Sequence, residues 1–396
     1  MEKRTGLFSN GIIWFGVAIS VSEIEAGIEI GAAAGDSLWL PLIFGHVLGG
    51  ILLFFVGLIG ARVRLNAMET TASTFGKYGS RFFAALNVFQ LLAWVAVLNA
   101  QGASALAGLS LPISFPLTCV ILAVLIAIWV FVGLRRSATV TTVVMAALAI
   151  LLAVLTVKLF GIGASGALAT GAATSAALLG FWNIFEISIA MPISWLPVIS
   201  DYTKDVENPV KATAVSAAAY TFASLWMYII GIEIAGIGAN NNIAQAILLV
   251  GLGIPGIIIV VLSTVTTNFL AANSAGESSK AIYGKINPKV AGVVVSLLSA
   301  ALAISGIMEH YISFLYLIAS VFAPMAAVLL VSFYFERCSE PKKSFWLWNL
   351  FAWLAGFAVY QVAVHQDSVF LGPTLLAVIV SAALASARVL IRKKET

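Results

Sequence analysis

Apolar stretches recur along the whole chain, each closed by a short polar or Gly/Pro-rich break. A helix needs about 20 residues to cross the hydrocarbon core of a bilayer. Reading each run between its breaks predicts twelve spans, at 10–34, 38–60, 82–108, 115–133, 137–160, 175–200, 210–236, 254–274, 290–308, 311–335, 345–364 and 373–391. The Lys and Arg residues fall in every second break. With a cytoplasmic N-terminus, 20 of the 21 basic residues lie on the inner side and Lys158 alone sits at an outer end. Such one-sidedness is what the positive-inside rule demands of a multi-pass membrane protein, and it places both termini in the cytoplasm.

Composition agrees: 61% of residues are hydrophobic and 10% charged. The net charge of +4 follows from orientation, so a nucleic-acid partner is not required. Cys119 and Cys338 lie far apart, on a side where disulfides are not expected, and carry no redox or metal argument. The start Met-Glu-Lys-Arg precedes a span too long for a cleaved signal peptide, so it reads as a retained helix. The expectation is one membrane unit in the lipid bilayer of a bacterial or archaeal inner membrane, monomeric, without a soluble domain and without enzymatic activity. Short helices are expected near Met68-Glu69 and over 242–250.

Two spans carry internal breaks. Span 1 is interrupted at Ser20-Val21-Ser22-Glu23, and span 6 by Pro192 and Pro197 around Ser194-Trp195. The breaks are offset by about 171 residues, and a similar offset carries Trp94 in span 3 to the neighbourhood of Thr266 in span 8. One spacing thus relates two pairs, as a 5+5 duplication requires. Repeats of five spans face opposite ways, so 10–160 and 175–335 are expected to be inverted repeats, with 345–391 adding two further helices. Breaks of this kind free main-chain groups near the midplane, where ions and substrates bind.

Polar residues inside the spans supply the candidate chemistry. A carboxylate at a helix centre costs on the order of 3 kcal/mol on insertion scales, so Glu23, Glu25 and Glu29 must face protein or water. Glu23, nearest the break, reads either as a group that binds a polar substrate or couples an ion or proton, or as a structural partner in a helix-end network. Glu25 and Glu29 fit a solvated vestibule better. Asn87, Gln90, Trp94 and Gln101 share one helical face, which suits a flat heteroaromatic ligand but equally suits interhelical hydrogen bonds. Ser263, Thr266 and Thr267 have the spacing that points oxygens to one place, and a hard monovalent cation such as sodium prefers oxygen. Hydroxyls also bond back to their own helix, so the signal is weak alone.

Several patterns carry no chemistry. The matches Gly161/Gly163/Gly166 and Gly251/Gly253/Gly256 lie in outer connections without the strand of a dinucleotide site. Gly45 and Gly49 read as a close helix contact. His46, His310 and His365 are scattered, and no metal centre or cofactor follows.

At Trp14-Phe15-Gly16, Gly60-Ala61-Arg62, Phe75-Gly76, Gln90 with Trp94, Ser194-Trp195-Leu196-Pro197 with Asp201-Tyr202, and Thr266-Thr267-Asn268, the chain resembles the nucleobase:cation symporter-1 family. It is most similar to that family's CytX-type branch of hydroxymethylpyrimidine transporters, with cytosine permeases as relatives. The resemblance implies an all-α membrane protein of LeuT-type fold that imports a pyrimidine-type substrate with sodium by alternating access. It implies a sodium ion held by the carbonyls of Gly16 and Ile19 and the oxygens of Ser263, Thr266 and Thr267. Trp94 would stack on the substrate ring, and Gln90 and Asn268 would bond its edge. Ser20, Glu23 and Pro192, at the two breaks, are further candidates for the pocket by their position in the sequence. Pro192 stands where relatives place an aromatic, and Gln90 precedes Trp94 by four residues where cytosine permeases use three. Proton coupling through Glu23, or a purine or hydantoin as cargo, is the alternative within transport. A membrane receptor or embedded enzyme is the alternative outside it.

Overall fold

The computed structural model describes residues 4–33, 37–109, 112–161, 179–237, 243–335, 343–366 and 371–395. Every predicted span has a helical counterpart among them. Span 1 is a pair, α1 (Leu7–Ala18) and α2 (Val21–Ala33), bent by 52°. Spans 2 and 3 are α3 (Trp39–Val63) and α5 (Ala72–Gly108), joined by the short α4 (Ala67–Thr70). Spans 4 and 5 are α6 (Phe115–Val132) and α7 (Leu134–Gly161). Span 6 is again divided, into α8 (Phe181–Ser194) and α9 (Ile199–Thr203). There follow α10 (Pro209–Gly236), the small α11 (Ile243–Leu249), α12 (Gly253–Ile282), α13 (Pro288–Ile304), α14 (Tyr311–Phe335), α15 (Lys343–Ala363) and α16 (Pro373–Glu395). Both expected short helices are present, as α4 and α11. Eight of the described helices are long and apolar enough to cross a membrane singly, and the bent α1–α2 pair makes a ninth span.

Local sequence explains where helices begin and end. Asn208 and Asn287 accept backbone N–H groups at the starts of α10 and α13, each followed by Pro at the first helical position. Asn66 and Glu69 form a reciprocal capping box on α4. Gly76 takes φ +71°, left-handed backbone that other residues rarely adopt, and breaks the first turn of α5 from the rest.

The two breaks arise differently. At Ile19 the backbone leaves the helix at ψ 88°, and Ser20 Oγ accepts the Glu23 N–H at 3.2 Å, starting α2 afresh. Span 6 stays helical through Pro192 to Ser194, so its break comes a few residues later than the prolines suggest. Tight turns follow, with Trp195 N–H on the Pro192 carbonyl and Val198 N–H on the Trp195 carbonyl. Pro197 has no N–H to continue the ladder.

Two groups of helices carry the breaks and the spans facing them. One joins α1, α2, α3, α8, α9 and α10, and the other joins α5, α6, α12 and α13, while α14, α15 and α16 pack on one another beside them. Within the first, α2 lies so near α10 that a methyl group on Gly27 would meet the Tyr228 carbonyl, and one on Gly231 the Ile24 carbonyl. The Gly45/Gly49 pair does the same for α3 against Ser188 and Pro192 of α8, the close contact its spacing predicts. Pairings also exchange between halves: span 1 packs on span 7 as span 6 packs on span 2, and span 3 packs on span 8.

Candidate functional site

The break in span 1 faces α12. Ser263 Oγ donates to the Ile19 carbonyl at 2.8 Å. Thr267 Oγ1 lies 3.1 Å from the same carbonyl and 3.4 Å from those of Gly16 and Val17. A hydroxyl has one hydrogen, so it can satisfy one of these three oxygens and leaves the others electron-rich. The result is a cluster of uncharged oxygens at the discontinuity, chemistry suited to a hard monovalent cation. The Thr266 hydroxyl turns instead to its own helix, at 2.7 Å from the Leu262 carbonyl and 3.2 Å from that of Ser263. It is the one predicted oxygen ligand that does not point at the break. At Gly16 the Met145 side chain of α7 packs directly over the backbone, in the space a Cβ would take.

The helical stripe of α5 meets the other break. Asn87 donates to the Pro197 carbonyl at 3.0 Å and to Ser278 at 2.8 Å, and Gln90 Nε2 reaches the Ser194 carbonyl at 3.3 Å. These amides thereby satisfy carbonyls that the broken helix frees, the interhelical reading of the stripe. Gln101 continues it, bonding Ser22 and Glu25 of α2. Part of the stripe is unsatisfied: Gln90 Oε1, Trp94 Nε1 and both amide atoms of Asn268 are buried without a hydrogen-bond partner. Buried polar atoms are paired in the great majority of cases, so these four atoms on the facing helices α5 and α12 are candidates for contact with a polar ligand. The Trp94 ring packs edge-on against Tyr311 and Phe314 of α14, at 6.2 and 5.5 Å between centroids.

Three predicted pocket residues are otherwise engaged. The Ser20 hydroxyl caps α2, and Pro192 fills the space over Gly49. Glu23 has both oxygens occupied, accepting from Tyr220 and Ser224 of α10 at 2.8 Å each. That is the geometry of its structural reading. Sequence reasoning missed His46, which lies at the centre of this network with Ser224 2.9 Å from Nε2 and Ser188 2.6 Å from Nδ1. Its signal was available, since an ionisable residue inside an apolar span seldom stands alone.

Glu25 and Glu29 line a cavity of about 550 Å³, with Glu186, Trp182, Tyr311 and Tyr360. It lies at the opposite end of the molecule from the basic loops, and Tyr311 connects its wall to Trp94. At the basic end the packing is tight. Lys204 and Glu277 form a salt bridge of 2.7 Å, Asp201 Oδ1 accepts the Ala67 N–H at 2.8 Å, and Arg64 donates to the carbonyls of Lys204 and Val206. Thr5 adds a parallel bridge to Val206. Among the described residues no group of His, Cys, Asp and Glu is arranged to hold a metal ion.

Comparison with known proteins gives the family and the fold. A family model described as permeases for cytosine/purines, uracil, thiamine and allantoin matches residues 1–343. The chain belongs to that family. It is 22% identical over 337 residues to the cytosine permease of Escherichia coli strain K12, covering 85% of this chain and 80% of the relative. Among solved structures, the nucleobase-cation-symport-1 family transporter Mhp1, closed with bromovinylhydantoin bound, superposes with a TM-score of 0.76 at 19% identity, over 98% of this chain and 93% of its own. A sodium-coupled sialic acid symporter in a substrate-bound outward-open state gives 0.72 at 13% identity, over 98% and 90%. The permease is therefore a multi-pass membrane transporter with the LeuT-type fold expected from its sequence.

Proposed function

We propose that this permease is a symporter that imports a flat aminopyrimidine, hydroxymethylpyrimidine or a cytosine-like base, driven by sodium. The observation that carries the reading is the set of unpartnered buried atoms on α5 and α12: Gln90 Oε1 accepts, Trp94 Nε1 donates, and Asn268 does both. An aminopyrimidine edge alternates donors and acceptors and matches that set, while its ring offers a face to Trp94. The oxygens of Gly16, Ile19, Ser263 and Thr267 support a sodium site beside it. Thr266 would join only by turning its hydroxyl off its own helix.

Transport follows by alternating access. The group around α1, α2, α3, α8, α9 and α10 rocks against α5, α6, α12 and α13, and the two proposed sites lie on the seam between them. The acidic cavity is the outward entrance, and the basic end faces the cytoplasm of an inner membrane, with both termini there. One inward sodium contributes about 2.3 kcal/mol per 100 mV, enough for roughly fiftyfold accumulation.

Uptake of labelled cytosine and hydroxymethylpyrimidine into proteoliposomes, with sodium replaced by choline at fixed pH, tests the coupling. Uptake should need sodium; uptake that persists in choline and follows the pH gradient would favour proton coupling. A Trp94→Ala protein should lose at least tenfold in affinity, about 1.4 kcal/mol of stacking. Unchanged binding there would remove the stacking role of Trp94, and binding restricted to purines or hydantoins would overturn the pyrimidine assignment.

A further inference from the structure

We infer that the membrane bundle holds a resident proton, shared between Glu23 and His46 through Ser224. The argument is a count of hydrogens. A polar chain runs from the Leu42 carbonyl through Ser188 Oγ, the His46 ring and Ser224 Oγ to Glu23 Oε2. Its four contacts measure 2.6, 2.6, 2.9 and 2.8 Å in that order. Lone-pair atoms this close need one hydrogen in each contact. Ser188, Ser224 and a neutral imidazole bring three hydrogens to the four contacts, and an ionised Glu23 brings none.

One added proton completes the chain. The Leu42 carbonyl can only accept, so Ser188 donates to it, and His46 Nδ1–H, which also lies 3.2 Å from that carbonyl, donates between it and Ser188. The missing hydrogen then falls between Nε2 and Glu23. Placed on Nε2, it makes an imidazolium that donates to Ser224, which donates to the carboxylate. Placed on Glu23, it donates to Ser224, which donates to a neutral Nε2. Tyr220 donates to the other Glu23 oxygen in both forms. Neither form carries net charge, which is how a buried Glu and His are tolerated together.

The surroundings oppose losing the proton. The titratable groups that face the chain are Tyr220 and Tyr228 of α10, Tyr311 of α14 and Glu25 and Glu29 of α2 itself. Glu186 of α8 is held apart by Thr374, and Asp201 of α9 and Arg62 lie toward the basic end of α3. The Tyr228 ring stands edge-on to His46 at 4.6 Å. Deprotonation would put a net negative charge beside other carboxyls in a low-dielectric site.

Residence follows from where the members sit. They come from α2, α3, α8 and α10, all in one packed group, so rocking of that group leaves the chain intact. The proton is then a fixed part of the bundle rather than a coupling ion, whatever the cargo. All four contacts are filled only while the proton is held, so the stabilisation they give is lost as pH rises through its release.

The test is the Tm of the full-length protein in detergent across neutral to alkaline pH, for wild type and Glu23→Gln. A carboxamide N–H replaces the captured proton, so all four contacts are filled without titration. Wild type should lose several degrees on the alkaline side, and Glu23→Gln should keep the neutral wild-type Tm without that loss. An equal alkaline loss in Glu23→Gln overturns the proposal. A release that shifts when sodium replaces choline overturns residence. Should Glu23→Gln not fold, 15N spectra of the ring and 13C spectra of the Glu23 carboxyl in a His310→Gln/His365→Gln protein decide: hydrogen on both ring nitrogens, or a protonated carboxyl beside a neutral ring, supports the proposal, and a neutral ring beside an ionised carboxylate sinks it.

Discussion

Single residues divide by where their hydrogens go. Ser263 and Thr267 reach across to the broken helix while Thr266 bonds at home, although the three look alike in sequence. Thr267→Ala should raise the sodium concentration for half-maximal substrate binding about tenfold, the cost of one lost oxygen ligand of about 1.4 kcal/mol. Thr266→Ala should change it less than threefold, read by the same sodium titration. Equal effects would mean that the Thr266 hydroxyl turns to the ion when sodium binds. The serine and threonine spacing was legible in the sequence because helical periodicity decides which side chains share a face. Rotamer and partner were not, because a hydroxyl chooses among neighbours that only packing supplies. The same holds for Glu23, whose position beside the break was visible but whose partners Tyr220 and Ser224 lie about two hundred residues away in the chain.

At the scale of elements, breaks and close contacts set the mechanics. Gly27 and Gly231 let α2 and α10 touch backbone to backbone, joining a half of span 1 to span 7 as one body. Gly231→Val should cost about 1–3 kcal/mol from overpacking, seen as a lowered Tm, because the collision is with main chain that cannot rotate away. At the basic end, the Lys204–Glu277 bridge ties α9 to α12, across the seam between the two helix groups. It is partly exposed, so its worth is about 1 kcal/mol or less. Lys204→Ala should raise the maleimide labelling rate of an Asn273→Cys reporter, with Cys119 and Cys338 replaced by Ser, by at most about fivefold. An unchanged rate would show that this bridge does not hold the end closed. The span 6 break illustrates what pattern misses: Pro192 stays within its helix, seated against Gly49 of α3, and the chain unwinds only after Ser194.

For the whole molecule, the partition into two packed groups is the feature that alternating access requires, and cargo and ion are proposed to bind at their seam. A ligand that binds the folded form raises its apparent stability by mass action. Hydroxymethylpyrimidine or cytosine at a hundred times its Kd should therefore add about 2.7 kcal/mol, with sodium and substrate each strengthening the other's shift. Substrate shifts that are identical in sodium and choline would remove the case for a shared site.

The sequence by itself determined the number, order and apolar character of the spans, because hydrophobic length and loop charge are local quantities that the bilayer reads directly. It also located both discontinuities to within a few residues, since freed backbone needs polar or Pro-rich chain nearby. Tertiary structure alone decided which polar groups find partners. Glu23 and His46 are joined through Ser224 of a third helix, and Asn268 is left with none, because hydrogen bonds between distant segments depend on helix rotation and close approach that no local pattern encodes.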